Sequence, residues 1–130
     1  MKKRFLGVII ALVFVAIITN GCYYDNEETL YPQGACDTLV VKYSDQITGI
    51  LSTKCYDCHS IANNATEGGG NCFEGYANIS TFLGFVNGPQ TFIGAINHTS
   101  TNPMPKNRPK MSECDIRTIE IWIENGFPNN

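Results

Sequence analysis

Apolar and polar positions along the chain set out four patterns. The first is a run of fourteen apolar residues, 5–18, behind three cations in "MKKRFLGVIIALVFVAIITNGC". It is short for a membrane span and has the charged start and apolar core of a secretory signal, with an uncleaved anchor as the alternative. From Tyr43, "YSDQITGILSTKC" places Ile47, Ile50 and Leu51 at helical spacing. With Ser44 or Asp45 able to cap its start, this predicts a first helix ending near Lys54. Residues 76–95, "YANISTFLGFVNGPQTFIGA", predict two short helical pieces divided by the "NGP" turn at 87–89. Ile79, Phe82 and Leu83 mark one apolar face, and Phe92, Ile93 and Ile96 the other. Their aromatic and branched side chains keep β-strands in competition. In "SECDIRTIEIWIENGF", Ser112 and Asp115 form a capping pair, Glu113 and Asp115 suit the positive end of the helix dipole, and Gly126 supplies a left-handed stop. Ile116, Ile119, Trp122 and Ile123 form the buried stripe of this last helix.

Between these patterns lie segments without period. "NNATEGGGNC" has three consecutive glycines and must be loop. It lacks the Lys-Ser/Thr pair that follows the glycines of a phosphate loop, so it reads as plain flexibility. "NPMPKNRPK", residues 102–110, has three prolines in nine residues and can be neither helix nor central strand. No internal repeat is present. The fold class is therefore all-α, with a helix at each end and long irregular connections. Connections of that length need something in the middle to organise them.

At 130 residues the chain has room for one domain. The segment "ITNGC" resembles a lipobox, in which the cysteine is acylated after cleavage before it; Gly21 and Cys22 fit, while Thr19 stands where leucine is usual. The resemblance implies a signal peptide over residues 1–21, lipidation at Cys22, and a protein anchored to the membrane without crossing it. Residues 22–42, with "YYDNEETLYPQG", read as an acidic tether and N-terminal arm, and residues 43–130 as the folded domain. Removal of residues 1–21 leaves six cations against twelve carboxylates, a net charge of −6. Nucleic acid is thereby disfavoured as a partner, and a basic protein surface is the better match.

Candidate chemistry centres on "TKCYDCHSIA", where Cys55, Cys58 and His59 form C-x-x-C-H. A structural zinc site needs a fourth ligand, from Cys72 or Cys114, and no second cysteine pair exists at matching spacing. A redox dithiol needs a βαβ setting, which the helical pattern does not offer. Haem attachment accounts for every residue of the motif: two thiols at the spacing of the porphyrin vinyl groups, and a histidine placed as proximal iron ligand. Export fits as well, since haem of this kind is attached on the far side of the cytoplasmic membrane. The candidates for a distal ligand are Met104, Met111 and His98. Met104, between Pro103 and Pro105, sits where a stiff loop can hold a thioether toward the iron. Met111 at the threshold of the last helix reads as core, and His98 as a loop histidine. Cys36, Cys72 and Cys114 allow at most one bridge, or three unpaired thiols.

These residues resemble a class I c-type cytochrome domain, in particular the small lipoprotein cytochromes common in Bacteroidetes. "YSDQITGILSTKCYDCHS" is similar to that family's first helix with its haem motif, and "NPMPKNRPKMSECDIRTIEIWIENGFPNN" to its distal-methionine loop and last helix. The likeness covers both ends of residues 36–128, with a loose match in the middle. It implies a cytochrome c-like fold, thioether bonds at Cys55 and Cys58, proximal His59, distal Met104, a Cys36–Cys114 disulfide, and Trp122 near the crossing of the terminal helices. The family usually has leucine where Met111 stands.

The function expected is electron transfer by one covalent haem c, with no enzymatic activity, no small-molecule substrate, and redox proteins that dock transiently. Phe82, Phe85, Phe92, Ile96 and Trp122 are the expected apolar wall. The expected location is the bacterial cell envelope, facing the periplasm or at the outer-membrane surface. The alternatives are a five-coordinate haem enzyme or sensor, peroxidase-like with His98 as distal acid or base, and a zinc-binding structural module.

Overall fold

The computed structural model describes Cys36 and residues 38–130. The readings for residues 1–21, Cys22 and the tether up to residue 35 lie outside the described residues. The compact unit runs from Cys36 to Asn130. The described residues form helices joined by irregular segments, with no strand among them, so the domain is all-α. Among the described residues no helix is long and apolar enough to cross a membrane.

The chain enters through a π-helical turn, Tyr43–Ile47, which passes into α1, Thr48–Lys54. The wider turn arises where the Thr48 N–H donates back to the Tyr43 carbonyl, which also accepts from the Thr48 hydroxyl at 2.6 Å. Neither Ser44 nor Asp45 caps this start. Instead Asn130 accepts from the Tyr43 N–H through Oδ1 at 2.8 Å and from the Ser44 N–H through its carbonyl at 2.9 Å. The end of the chain thus satisfies two orphan amides at the beginning of the domain. The expected stop near Lys54 is met, since α1 ends at that residue. After a break at Cys55, the helical path resumes as α2, Tyr56–His59, with the Cys55 and His59 amides donating to the Leu51 and Cys55 carbonyls.

The middle pair is helical, and the strand alternative is discarded. α3, Tyr76–Gly84, buries Ile79 and Leu83; α4, Gly88–Ile96, buries Phe92 and Ile96. Between them Asn87 turns left-handed at φ 64°, and Gly88 is buried so closely that a Cβ would collide with the Phe82 carbonyl. The last helix, α5, is Glu113–Glu124, capped by the Ser112 hydroxyl, which accepts from the Asp115 N–H at 3.0 Å. Replacing Ser112 by alanine is expected to lower stability by about 1 kcal/mol, read as a lower thermal midpoint with unchanged secondary structure.

The crossing of the terminal helices forms the densest part of the core. Trp122, 1 % exposed, stacks on Tyr43 with ring centroids 5.7 Å apart, and Tyr43 meets Tyr76 edge-on at 5.1 Å. Gly126, at φ 83°, turns the chain back over this cluster. The indole Nε1–H of Trp122 then donates to the Pro128 carbonyl at 3.0 Å, and the Tyr76 hydroxyl donates to the Phe127 carbonyl at 3.1 Å. Ile47, Leu51, Ile116 and Ile119 complete the seam. A disulfide joins Cys36 to Cys114, with Cα atoms 5.5 Å apart and a sequence separation of 78. Closing a loop of that length restricts the unfolded chain by about 4 kcal/mol in the loop-entropy view.

Candidate functional site

A cavity of about 720 Å³ opens between α2, the glycine loop, α3, α4 and the proline-rich loop. It lies in the upper part of the roughly 300–1,000 Å³ range of ligand sites. Cys55, Cys58, His59, Met104 and Met111 all line it. Residues as distant in sequence as Cys55 and Met111 therefore face one space. A second, shallow groove of about 610 Å³ runs between α1 and α5; its walls, including Asp45, Lys54, Cys114 and Asp115, hold no imidazole and no thioether.

His59 is built into the wall. Its Nδ1 lies 2.8 Å from the Asn71 carbonyl, which can only accept, so Nδ1 carries the proton and Nε2 keeps its lone pair. Among the described residues none is hydrogen-bonded to Nε2. The ring stacks on Phe73 with centroids 4.4 Å apart and planes 19° from parallel. The Phe73 N–H in turn donates to the His59 carbonyl at 2.8 Å. An imidazole gripped on one nitrogen and open on the other is oriented as metal-binding histidines usually are.

The glycine loop makes that grip, which corrects its reading as plain flexibility. Gly68 is buried, and a Cβ there would stand 2.6 Å from the Cys58 carbonyl and 2.9 Å from the Asn64 Cα. The Gly70 N–H donates to the Asn64 carbonyl at 2.8 Å, so the loop folds on itself before presenting Asn71. Gly68→Ala is expected to cost about 1–3 kcal/mol, because the clash is with backbone that cannot rotate away. It should also loosen His59, and calorimetry together with the His59 nuclear resonances would show both effects.

Cys55 is half-buried, and desolvation pushes its thiol up to about 12. A redox dithiol needs a thiol shifted the other way, toward thiolate at neutral pH, so this environment weighs against that chemistry. Cys72 is a free, half-buried thiol outside the cavity lining. Among the described residues no three His, Cys, Asp or Glu side chains gather closely enough to hold a metal ion by themselves.

On the opposite wall, the Met104 N–H donates to the Ala95 carbonyl at 2.9 Å, tying the proline-rich loop to the end of α4. Met111 is 6 % exposed and belongs to the core while also lining the cavity. His98 is not in the lining; its Nε2 lies 3.1 Å from the Met104 carbonyl. Phe73, Phe82, Phe92 and Ile96 supply the apolar surface. Two residues expected there are elsewhere. Phe85 lies beyond the end of α3 in extended backbone and is 64 % exposed, while Trp122 belongs to the helix crossing. Phe73, absent from the expected wall, holds its centre, with Phe82 and Phe92 edge-on to it at 5.1 and 5.3 Å.

The cavity mouth is charged. Lys54, Lys106 and Arg108 share it with Asp57 and Glu67, and Arg108 donates to Asp57 at 2.9 Å, joining the motif turn to the proline-rich loop. The net acidity of the chain therefore does not extend to this rim. Compared with protein-family models, with curated proteins and with solved structures, the chain finds no match.

Proposed function

We propose that this chain is an exported, lipid-anchored c-type cytochrome of the class I type: an electron carrier with one haem bound covalently through Cys55 and Cys58 and ligated by His59 and Met104. The observation that carries the proposal is that two thiols, an imidazole and two thioethers, of which Met111 is also part of the core, line one cavity of ligand size. That donor set fits an iron porphyrin; it does not fit a zinc clip, which wants four thiolates or imidazoles drawn together. When bound, the group supplies a one-electron couple whose potential a histidine–methionine pair sets higher than two histidines would.

The chain's own residues have separable tasks. Cys55 and Cys58 each give a sulfur to a thioether bond. His59 offers Nε2, fixed by the Asn71 carbonyl and the Phe73 ring, and Met104 offers its sulfur from a loop stiffened by two prolines. Phe73, Phe82, Phe92 and Ile96 exclude water from the interior. Charges of both signs at the mouth, Lys54, Lys106 and Arg108 with Asp57 and Glu67, suit a protein partner that binds weakly and leaves quickly. Held by both His59 and Met104, such a group would keep no position open for a substrate, so the proposal is a carrier and not an enzyme.

The test is the visible spectrum of the exported protein, oxidised and reduced, followed by carbon monoxide added to the reduced form. A sharp reduced spectrum that carbon monoxide leaves unchanged supports the carrier. Ready binding would favour the five-coordinate enzyme or sensor, and a colourless protein containing zinc would favour the structural module.

A further inference from the structure

His98 is chemically committed in a way that a spare iron ligand is not. Its Nε2 faces the Met104 carbonyl at 3.1 Å, and because a carbonyl only accepts, Nε2 must carry the hydrogen. The residue stands at φ 58°, the left-handed region that a side-chain-bearing residue enters at some cost. That backbone turn starts the loop: the Thr99 and Ser100 amides double back onto the Gly94 carbonyl, and the Met104 amide reaches the Ala95 carbonyl at 2.9 Å. Backbone bonds thus hold the amide side of Met104, and among the described residues His98 is the one side chain that holds its carbonyl side. Pro103 and Pro105, its neighbours, have no N–H with which to help.

We infer that His98 is a positioning residue for the distal methionine: its Nε2–H clasps the Met104 carbonyl and keeps the thioether aimed into the cavity. The inference rests on the histidine–methionine reading and adds to it the group that keeps the distal side shut. It also replaces His98 as an alternative ligand, since the nitrogen such a role would use is already donating to the loop.

The test uses the full, haem-loaded protein. His98→Gly removes the clasp and at the same time relieves the left-handed strain, so a histidine serving only the turn predicts equal or higher stability and unchanged ligation. The clasp predicts a different split. The thermal midpoint is retained, while uptake of saturating carbon monoxide by the reduced protein, in the parent too slow to alter a spectrum taken at once and followed over hours, becomes about tenfold faster, the factor that one neutral hydrogen bond represents. The strongly shifted methyl resonance of the bound methionine also broadens. His98→Gln, which keeps a donor, stays within about twofold of the parent, and His98→Leu, of similar size with no donor, behaves like the glycine variant. If the glycine protein does not mature, the Gln/Leu contrast decides alone. Parent-like carbon monoxide rates and methyl signal in both the glycine and leucine proteins, or in the leucine protein alone where glycine does not mature, would overturn the inference. Failure of the underlying reading looks different: the parent itself would bind carbon monoxide readily, and Met104→Ala would leave its spectrum unaltered.

Discussion

The Cys55→Ser/Cys58→Ser double variant is expected to lose both its colour and most of its helical circular-dichroism signal. The second loss follows from the cavity. If left dry, a void of about 720 Å³ would at roughly 24 cal/mol per Å³ cost more than the 5–15 kcal/mol by which a whole domain is stable. If filled with water, it wets Phe73, Phe82, Phe92 and Ile96, and with them much of the apolar surface that α3 and α4 exist to bury. A domain of this size has little other core to draw on. The crossing of the π-turn, α1 and α5 is expected to survive longest, because Trp122, Tyr43 and the Cys36–Cys114 disulfide make no use of the cavity. Cys72→Ser, which changes a thiol outside the lining, serves as the control and should keep both colour and helicity. Unchanged circular dichroism and melting in the double variant would contradict the account.

Replacing Met104 by alanine carries the second large effect. The cavity wall loses the thioether of the proline-rich loop, the reduced protein should bind carbon monoxide where the parent refuses it, and the potential should fall by on the order of 0.1–0.2 V, a fraction of the roughly 0.8 V that axial ligands span. Helicity should change little, since the Met104 amide bond to Ala95 is made by backbone and survives the substitution. Met111→Leu distinguishes the two methionines: it conserves volume at a core position and should leave the potential and carbon monoxide refusal near parent values.

How much of this was legible in the sequence depended on how local each feature is. α5 could be read almost residue by residue, because the Ser112 cap, the Ile116–Ile119–Trp122–Ile123 stripe and the Gly126 stop all lie within one stretch. The C-x-x-C-H motif is contiguous and Met104 is marked by its flanking prolines, so the residues that come to line one cavity could be singled out from the sequence. Pairings between distant backbone groups left no such mark. Nothing in "GGGNC" announces that the Asn71 carbonyl meets His59, nor does "FPNN" announce that Asn130 caps the first helix. Phe85 misses the expected wall because α3 ends at Gly84, after which the backbone becomes extended and the ring turns out to solvent. Phe73 was overlooked because it stands alone between a glycine loop and a helix, outside any periodic run. Gly68 offered a sign in retrospect: three glycines in a row can serve flexibility or close approach, and residue type alone does not say which.

The mass of the tryptic fragment containing Cys55, Cys58 and His59, taken from the exported protein of a host able to mature such pigments, addresses the central claim most directly. The account predicts a fragment heavier by one haem, in which Cys55 and Cys58 do not react with an alkylating reagent and Cys72, which the same fragment contains, does. A fragment without the haem mass and with Cys55 and Cys58 alkylated would contradict it.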